Sequence, residues 1–412
     1  MQVSNVQRTS RTLRRSPRIL FLGSFVPREC GLATFAEDLM AAATLQGASC
    51  KVIAMNRPGE HHAYDRRVIA NIQEDRLEDY LSVVDLINSG RFDILSIQHE
   101  FGIYGGTACN HLIRLLESVR IPVVTTLHTV LQHPTLEMRR QLSSIAQHST
   151  ALMVMNGLAV DILNDVYWID PRKVAMIHHG APAITVRHPE TLRERLGCES
   201  RRIISTFGLI GPGKGLEYAI QAMPEVVRRH PDVYYYILGK THPVVKEQQG
   251  ELYREGLQAM ADRIGVAEHV VFVDKYLSKN ELLQYLRVSD IYLTPYLNME
   301  QVTSGTLAYA LACGRPIIST PYLHARFLLN EGRGILVAPS RSSAISEACE
   351  QLLGDPARAA RMEQANLQYG EQLLWPSVGQ AFVDLCAENT IWSDLRIAGT
   401  KPLLGKPLMA SA

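Results

Sequence analysis

The stretch from Arg202 to Gly215, RIISTFGLIGPGKG, decides the fold. It begins with a short apolar run rich in β-branched residues and ends in a turn rich in glycine. An amphipathic segment, Gly215–Arg229, follows directly. A buried strand that passes through glycines into a helix is the first step of a βαβ unit. The stretch therefore predicts a parallel sheet that is covered by helices.

The same alternation of strand and helix runs through both halves of the chain. Helical segments such as Leu32–Gln46 and Arg76–Asn88 lie between the apolar runs, and the alternation breaks at Ala181–Ser200, which has two prolines and no clear strand. The predicted strands are RILFLGSF, CKVIAMN, FDILSIQH, PVVTTLH and ALMVMN before the break, and RIISTFGLI, VYYYILG, HVVFVD, IYLTPY, PIIST and GILVAP after it.

We therefore predict an α/β protein with two Rossmann-like, doubly wound domains that face a cleft. A chain of 412 residues is also too long for a single core. Ligands of such sheets bind at the carboxyl ends of the strands. The predicted segments are a disordered basic tail at 1–17, an N-terminal domain at 18–190, a C-terminal domain at 200–375, a separate helix at 376–392 that crosses back to the first domain, and a flexible tail at 393–412.

Composition excludes several classes of protein. The chain has 42 Lys and Arg against 41 Asp and Glu, a balance that argues against a nucleic-acid binder. Its seven cysteines are an odd number without a C-x-x-C pair, which disfavours a disulfide framework or a zinc site and favours the cytoplasm. No apolar run is long enough to cross a bilayer. The arginine-rich start predicts a plain tail with at most peripheral membrane contact, although a transit peptide has a similar composition.

The glycine-rich turn is a candidate phosphate site. Gly208, Gly213 and Lys214 fit the G-x-x-x-x-G-K pattern of nucleotide hydrolases, but Gly215 stands where that pattern needs Ser or Thr to hold magnesium. A glycine turn that opens a helix still offers free N–H groups, and Lys214 adds a positive charge. The combination suits a diphosphate without a metal. The alternative is a tight turn with a lysine in solvent.

A second helix start lies at Glu300–Gly314, EQVTSGTLAYALACG. Thr303 or Ser304 can cap this helix, and Gly305 removes a side chain where backbone must approach something closely. Two helix N-termini that point at one place would suit a pyrophosphate. Ordinary capping would also explain these residues.

The first half offers weaker candidates. The segment Pro27–Leu32 opens a third helix after the first strand. His99, Glu100 and His128 follow strands and could contact a sugar, or hold a metal, although two histidines and a glutamate on two loops are weak evidence for a metal. His178–Gly180 ends the last strand of this half, where a histidine is more often structural.

These residues resemble the retaining glycosyltransferases of family 4, the glycosyl transferases group 1 with the GT-B fold. That family has a V-G-R-L-x-x-x-K-G pattern, whose place Phe207–Gly215 takes here. The family also has the pattern E-x7-E-A-M-A-C-G followed by a short strand. Here Gln301–Ile318 corresponds to this pattern and strand in a degenerate form. Gly334–Pro339 and the last helix, led by Trp375, also fit. The first half fits more loosely, and the resemblance covers most of residues 18–392.

The resemblance implies transfer of a hexose, mannose or glucose, from a UDP- or GDP-linked sugar to a saccharide or another hydroxyl acceptor. It implies retention at the anomeric carbon, no metal and no further cofactor. Lys214 and the amides at the start of the second-half helix would hold the diphosphate, and Gly31 would let the first domain approach it. The implied donor-binding residues are Gly31, Gly213, Lys214, Ser304, Gly305, Thr306 and Tyr309, and the implied catalytic residues are His128, Glu300 and Gln301.

The chain departs from the family pattern at three positions. Leu209 replaces an arginine, Tyr309 replaces the glutamate that grips the ribose, and Gln301 replaces the other glutamate, with Glu300 beside it. Loss of one charge-assisted contact typically costs about 1.5–3 kcal/mol. Tyr309 could offer its hydroxyl to the ribose or stack on it. Candidates to replace the lost charge are Arg28, Lys240 and Arg326.

Two other functions fit the pattern less well. A non-catalytic relative that binds nucleotide sugars would explain Leu209 and Tyr309, and it would bind donors without turnover. A nucleotide-sugar epimerase of the same fold would need an acid and a base on either side of the sugar, and the sequence offers no convincing carboxylate pair.

Overall fold

The computed structural model describes residues 16–106, 109–183 and 189–397, and it divides into two compact units. Within the described residues, the first unit contains the chain up to Thr126, Leu136–Met153 and the chain from Gly379 onward. The second contains Leu127–Thr135 and Val154–Val378. The described residues 154–183 and 189–190, which the sequence assigned to the N-terminal domain, therefore group with the second unit, as does Leu127–Thr135. The predicted tails at 1–17 and 393–412 lie mostly outside the described residues.

The first sheet is parallel and has the strand order β3-β2-β1-β4-β5-β6-β7. Its central strands are buried along nearly their whole length, as expected for a sheet covered on both faces. The order reverses between β1 and β4. The strands are β1 Arg18–Gly23, β2 Ser49–Asn56, β3 Val68–Gln73, β4 Ile94–His99, β5 Val123–Leu127, β6 Ala151–Val154 and β7 Val174–Met176.

The helices of this half differ from the prediction at one place. The segment Arg76–Asn88, predicted as one helix, forms two short helices, and β3 before it was not predicted. The single-helix prediction was wrong because the chain turns at Val83, between the two short helices. The helices are α1 Gly31–Leu45, α2 Leu77–Ser82, α3 Val84–Ile87, α4 Asn110–Leu116, α5 Leu136–His148 and α6 Gly157–Tyr167, with a 3-10 turn at Pro171–Lys173.

The second sheet is also parallel and has the order β10-β9-β8-β11-β12-β13. Its order reverses between β8 and β11, which places the loops after these two strands side by side. The strands are β8 Arg202–Phe207, β9 Val233–Leu238, β10 Val270–Val273, β11 Ile291–Thr294, β12 Ile317–Ser319 and β13 Ile335–Leu336.

Helices accompany these strands along the chain. A short helix forms inside the predicted break, and 3-10 turns lie at Ala267–His269 and Glu371–Leu373. The helices are α7 Pro189–Arg195, α8 Leu216–Arg229, α9 Pro243–Gln249, α10 Leu252–Arg263, α11 Lys279–Val288, α12 Gly305–Ala312, α13 Leu323–Leu328, α14 Ser342–Leu353 and α15 Pro356–Gly370.

The last helix, α16 Trp375–Ile397, returns to the first unit, as predicted. The Phe382 ring lies 5.8 Å from the Phe21 ring, and Gly379 packs directly on Ala42 of α1. The helix is five residues longer than the predicted end at 392, so the first five residues of the predicted flexible tail are helical.

Candidate functional site

The glycine-rich loop after β8 lies at the switch point of the second sheet, beside the loop after β11. Gly213 and Gly215 have φ values of 89° and 67°, in the left-handed region that favours glycine. A side chain at Gly215 would overlap with the Pro295 carbonyl, and the Leu297 N–H donates to the Gly213 carbonyl at 2.9 Å. The glycines therefore let the two loops pack together where ligands of such sheets bind.

Lys214 contacts the loop after β11. Its ammonium lies 4.0 Å from the centroid of the Tyr296 ring, a cation–π distance. Tyr296 is 1% exposed, and its hydroxyl shares a hydrogen bond of 3.0 Å with the Thr306 hydroxyl. One buried side chain thus connects Lys214 to the first turn of α12. Sequence reasoning missed Tyr296, although its place at the end of IYLTPY marks it as a residue of a strand-end loop.

The start of α12 is built around Ser304. The Ser304 hydroxyl accepts from the Leu307 N–H at 3.3 Å, which is an ordinary N-cap. The Ser304 N–H donates to Nδ1 of His324 at 2.8 Å. This bond corrects the expectation that the Ser304 amide receives a diphosphate, because that amide already has an acceptor. Within the described residues, the amides of Gly305 and Thr306 have no hydrogen-bond partner.

The two residues in the place of the first family glutamate differ in their surroundings. The Gln301 side chain donates to the Thr303 carbonyl at 3.0 Å, a hydrogen bond within the loop that contains both residues. The Glu300 carboxylate lies 3.9 Å from Nε2 of His133 and is 27% exposed. Of these two residues, only Glu300 therefore presents a carboxylate that a ligand could reach.

Tyr309 is part of the core. It is 8% exposed, and its ring centroid lies 6.3 Å from Phe207 and 6.2 Å from His179. An aromatic ring thus fills the place where the family has a carboxylate. The contact of Tyr309 with a ribose stays a prediction.

Three histidines form a cluster here: His179 and His324 contact the start of α12, and His178 contacts Tyr369. The sequence reasoning set His178 and His179 aside as structural. Burial lowers the pKa of His178 and of His179 to about 4, and the pKa of His324 to about 3. All three are therefore neutral at pH 7. A side chain on Gly305 would lie 2.8 Å from Nε2 of His179, so the His179 imidazole covers this glycine. The sequence signal was the pair His178–His179, directly after the last strand of its half.

In the first unit, Gly31 is the first residue of α1, and the Cys30 thiol caps this helix by accepting from the Ala33 N–H at 3.3 Å. Among the residues that the structure describes, no atom lies within 4 Å of the place of a Gly31 side chain, as a ligand approach requires. His99 is fully buried, and burial lowers its pKa to about 4. The Glu100 carboxylate accepts from the Phe101 N–H at 2.8 Å.

The remaining candidates are His128 and the three cations that could replace the lost charge. His128 follows β5, is 8% exposed and belongs to the second unit. Arg28 donates to the Met55 carbonyl at 3.4 Å, and the Lys240 ammonium lies 5.5 Å from the Tyr276 ring. Arg326 is exposed on α13.

Among the residues that the structure describes, no three His, Cys, Asp or Glu side chains come close enough together to bind a metal ion. None of the helices in this part of the chain has both the length and the apolar character to cross a membrane.

The two doubly wound parallel sheets and the returning last helix define the GT-B fold, and solved structures share it. The structure of HepE from Anabaena with UDP and glucose matches with a TM-score of 0.70 at 15% identity, over 90% of this chain and 100% of that chain. WaaG, a glycosyltransferase of lipopolysaccharide biosynthesis, matches with a TM-score of 0.64 at 14% identity, over 89% and 99%.

Sequence comparison identifies the family. The model described as Glycosyltransferase Family 4 matches residues 30–183, and the model described as Glycosyl transferases group 1 matches residues 201–355. Since one model matches in each half, the chain belongs to the family 4 glycosyltransferases of the GT-B fold. The predicted fold and family are confirmed.

Two curated relatives are similar over part of their length. The GDP-mannose-dependent alpha-(1-6)-phosphatidylinositol monomannoside mannosyltransferase of Mycolicibacterium smegmatis is 32% identical over 47% of this chain and 50% of that protein. The alpha-D-kanosaminyltransferase of Streptomyces kanamyceticus is 27% identical over 59% and 64%. The chain thus spans about half to just under two thirds of the length of these relatives.

Proposed function

We propose that the protein transfers a hexose from a nucleoside-diphosphate sugar to a hydroxyl of a saccharide or another acceptor. The observation that carries this proposal is the contact of Lys214 with Tyr296, whose hydroxyl bonds Thr306 at the start of α12. A departing diphosphate gains negative charge, and an ammonium beside a helix N-terminus stabilises that charge. The same reasoning supports transfer without a metal, because Lys214 and the helix amides supply the positive potential. Retention at the anomeric carbon is the outcome that the family implies.

We assign the diphosphate to the amides of Gly305 and Thr306 rather than to that of Ser304. These are the first two residues of α12, and their N–H groups point out of the helix end. Glu300 and His128 are proposed to contact the donor sugar. The seven free cysteines support the reducing cytoplasm as the location.

The nucleotide base is proposed to lie at the ends of β9 and β10. The Asp274 carboxylate accepts from the buried Arg254 guanidinium at 2.7 Å and is about half exposed. The Tyr276 ring is 45% exposed, next to the Lys240 ammonium. An exposed ring and a fixed carboxylate suit a base that stacks and donates N–H groups. GDP and UDP are both candidates, since one relative is named GDP-mannose-dependent and one structural neighbour was solved with UDP.

The test is activity of the Lys214→Ala variant over a panel of UDP-, GDP- and ADP-linked glucose and mannose. We expect kcat/KM to fall by about 100-fold or more, because a charge-assisted contact to the leaving group is lost. Lys51→Ala is the matched control, since Lys51 lies near the start of β2 in the first unit and its ammonium donates to the Arg66 carbonyl at 3.0 Å. Near-normal activity of Lys214→Ala, with the control unchanged, would overturn the site assignment.

The finer parts of the proposal have separate tests. Activity that survives an excess of chelator supports transfer without a metal, and loss that added Mg²⁺ restores contradicts it. The anomeric configuration of the first-formed product, read by proton NMR, decides between retention and inversion.

A non-catalytic relative is the second candidate function. The buried ring of Tyr309 and the neutral side chain of Leu209 favour it, because both replace charged groups of the family pattern. A donor panel that raises the melting temperature without any turnover would support it. Incubation of a donor alone, followed by a search for an epimer, tests the epimerase alternative.

A further inference from the structure

We propose that His324 is a positioning residue of the donor site, which holds the first turn of α12 so that the Gly305 and Thr306 amides face the diphosphate. The inference rests on the proposed function, because it assumes that this helix end receives the donor. It assigns a role to a buried histidine on α13, where the sequence offered only Arg326 as a candidate.

The start of α13 holds the loop before α12 through three hydrogen bonds. The Leu323 N–H donates to the Met299 carbonyl, and the His324 N–H donates to the Gln301 carbonyl, both at 3.1 Å. The third bond runs from the Ser304 N–H to Nδ1 of His324, at 2.8 Å. The first two fix the loop, and the third fixes the cap residue itself.

The third bond matters because the next residue is glycine. Gly305 restricts the backbone less than any other residue, so the first turn of α12 has little stiffness of its own. A buried Ser304 N–H without an acceptor would be unfavourable, and the turn would rotate to find one. That rotation would also redirect the amides of Gly305 and Thr306.

Only a neutral imidazole can accept at Nδ1, since both nitrogens of the charged form are donors. His324 is 1% exposed, and burial first, then His179 and His178, lower its pKa to about 3. With Nδ1 as the acceptor, the proton is on Nε2. His324 therefore keeps its acceptor at neutral pH.

The experiment compares three variants by the dissociation constants of UDP and GDP, measured by calorimetry, and by melting temperature. His324→Phe keeps a planar ring but removes the acceptor. His324→Asn places a carbonyl oxygen near the position of Nδ1. His178→Phe is the matched control, because His178 lies in the same cluster and its ring nitrogen contacts Tyr369 rather than α12.

We expect the wild-type protein to bind at least one of the two nucleotides. His324→Phe should weaken binding by about tenfold or more, while His324→Asn and His178→Phe stay within about threefold of wild type. Wild-type affinity in His324→Phe would overturn the inference, and so would an equal loss in His324→Asn. Wild-type binding to neither nucleotide would count against the proposed function instead.

A measurement on the wild-type protein decides the inference if the Phe variant does not fold or if no nucleotide binds. Nitrogen-15 NMR of the imidazole reports its tautomer, and hydrogen exchange reports the protection of the Ser304 amide. The inference requires the neutral form with the proton on Nε2, together with a protected amide. A proton on Nδ1 would overturn it.

Discussion

Tyr296 is central to the proposed donor site, since it contacts both Lys214 and Thr306. Its ring faces the Lys214 ammonium and its hydroxyl bonds Thr306. Neither contact follows from residue type, because an apolar strand end such as IYLTPY commonly carries a tyrosine. At this scale, the contribution of the ring and that of the hydroxyl can be separated by substitution.

Tyr296→Phe should reduce kcat/KM by about fivefold to tenfold, since one neutral hydrogen bond is worth about 1 kcal/mol. Tyr296→Leu should reduce it by about 100-fold, because Lys214 also loses the ring that orients it. Steady-state kinetics with the preferred donor provides the measurement. Tyr235→Phe is the control: its buried hydroxyl bonds Thr206, so its loss should lower stability and leave KM unchanged. Equal kinetics for the Phe and Leu variants of Tyr296 would contradict a role for the ring.

Gly31 provides a second prediction at this scale. Since the place of its side chain is open, Gly31→Ala should leave stability unchanged or raise it by up to about 1 kcal/mol. Activity should nevertheless fall if the backbone of Gly31 approaches the donor. Gly256→Ala, in the exposed middle of α10, has equally open space and should keep full activity. Unchanged activity in Gly31→Ala would remove Gly31 from the site.

At the scale of elements, the last helix α16 packs closely against α1 of the first unit. An added side chain at Gly379 would lie 2.7 Å from Cβ of Ala42 and 2.8 Å from its backbone carbon. The sequence predicted this helix from its apolar face, but a glycine inside a helix gives no signal of what it touches. At this point the backbones of α1 and α16 are in direct contact.

Gly379→Ala should therefore destabilise the protein by about 1–3 kcal/mol, as overpacked cores do, despite the better helix propensity of alanine. Thermal unfolding measures the change. Ala42→Gly in the same chain should restore part of the loss, because it removes the nearest of the two atoms. A double variant that is no more stable than Gly379→Ala would show that the strain lies elsewhere.

At the scale of the whole molecule, buried neutral histidines make stability depend on pH. His99 and His324 have pKa values of about 4 and about 3, below the value near 6.5 of an unfolded chain. Between roughly pH 6.5 and pH 4 the unfolded state thus binds more protons than the folded state. The contribution of these histidines to the free energy of unfolding is therefore complete above pH 6.5 and is lost as the pH drops through this window.

Each of these histidines should reduce the free energy of unfolding by about 2 kcal/mol between pH 7 and pH 5. Urea midpoints at the two pH values measure the effect. In His99→Phe the new ring would face Phe101 and Tyr104. The difference in free energy of unfolding between pH 7 and pH 5 should be smaller in this variant by about 2 kcal/mol. The same pH dependence in this variant and in wild type would show that His99 is not neutral in the folded protein.

Much of the fold could be predicted, because local patterns carry it. The apolar runs match eleven strands of the two sheets. The helix predicted at Gly215–Arg229 is observed at Leu216–Arg229, one residue shorter at its start. The strand Val68–Gln73 was missed because its outer half is only partly buried, so its pattern is not that of a buried strand. The two-helix form of Arg76–Asn88 was missed because helical spacing alone does not mark the turn at Val83.

The sequence by itself determined the class of fold, the family and the glycine-rich loop with Lys214, since these depend on residue types at fixed spacing along the chain. Only the tertiary structure decided how the start of α12 is held. The Ser304 amide is used by His324, twenty residues away, and Lys214 meets Thr306 through Tyr296. Tyr309 and His179 likewise meet only in the folded chain. The physical reason is that a hydrogen bond or a ring contact depends on distance in space, and the parallel sheet brings together loops that are far apart in sequence.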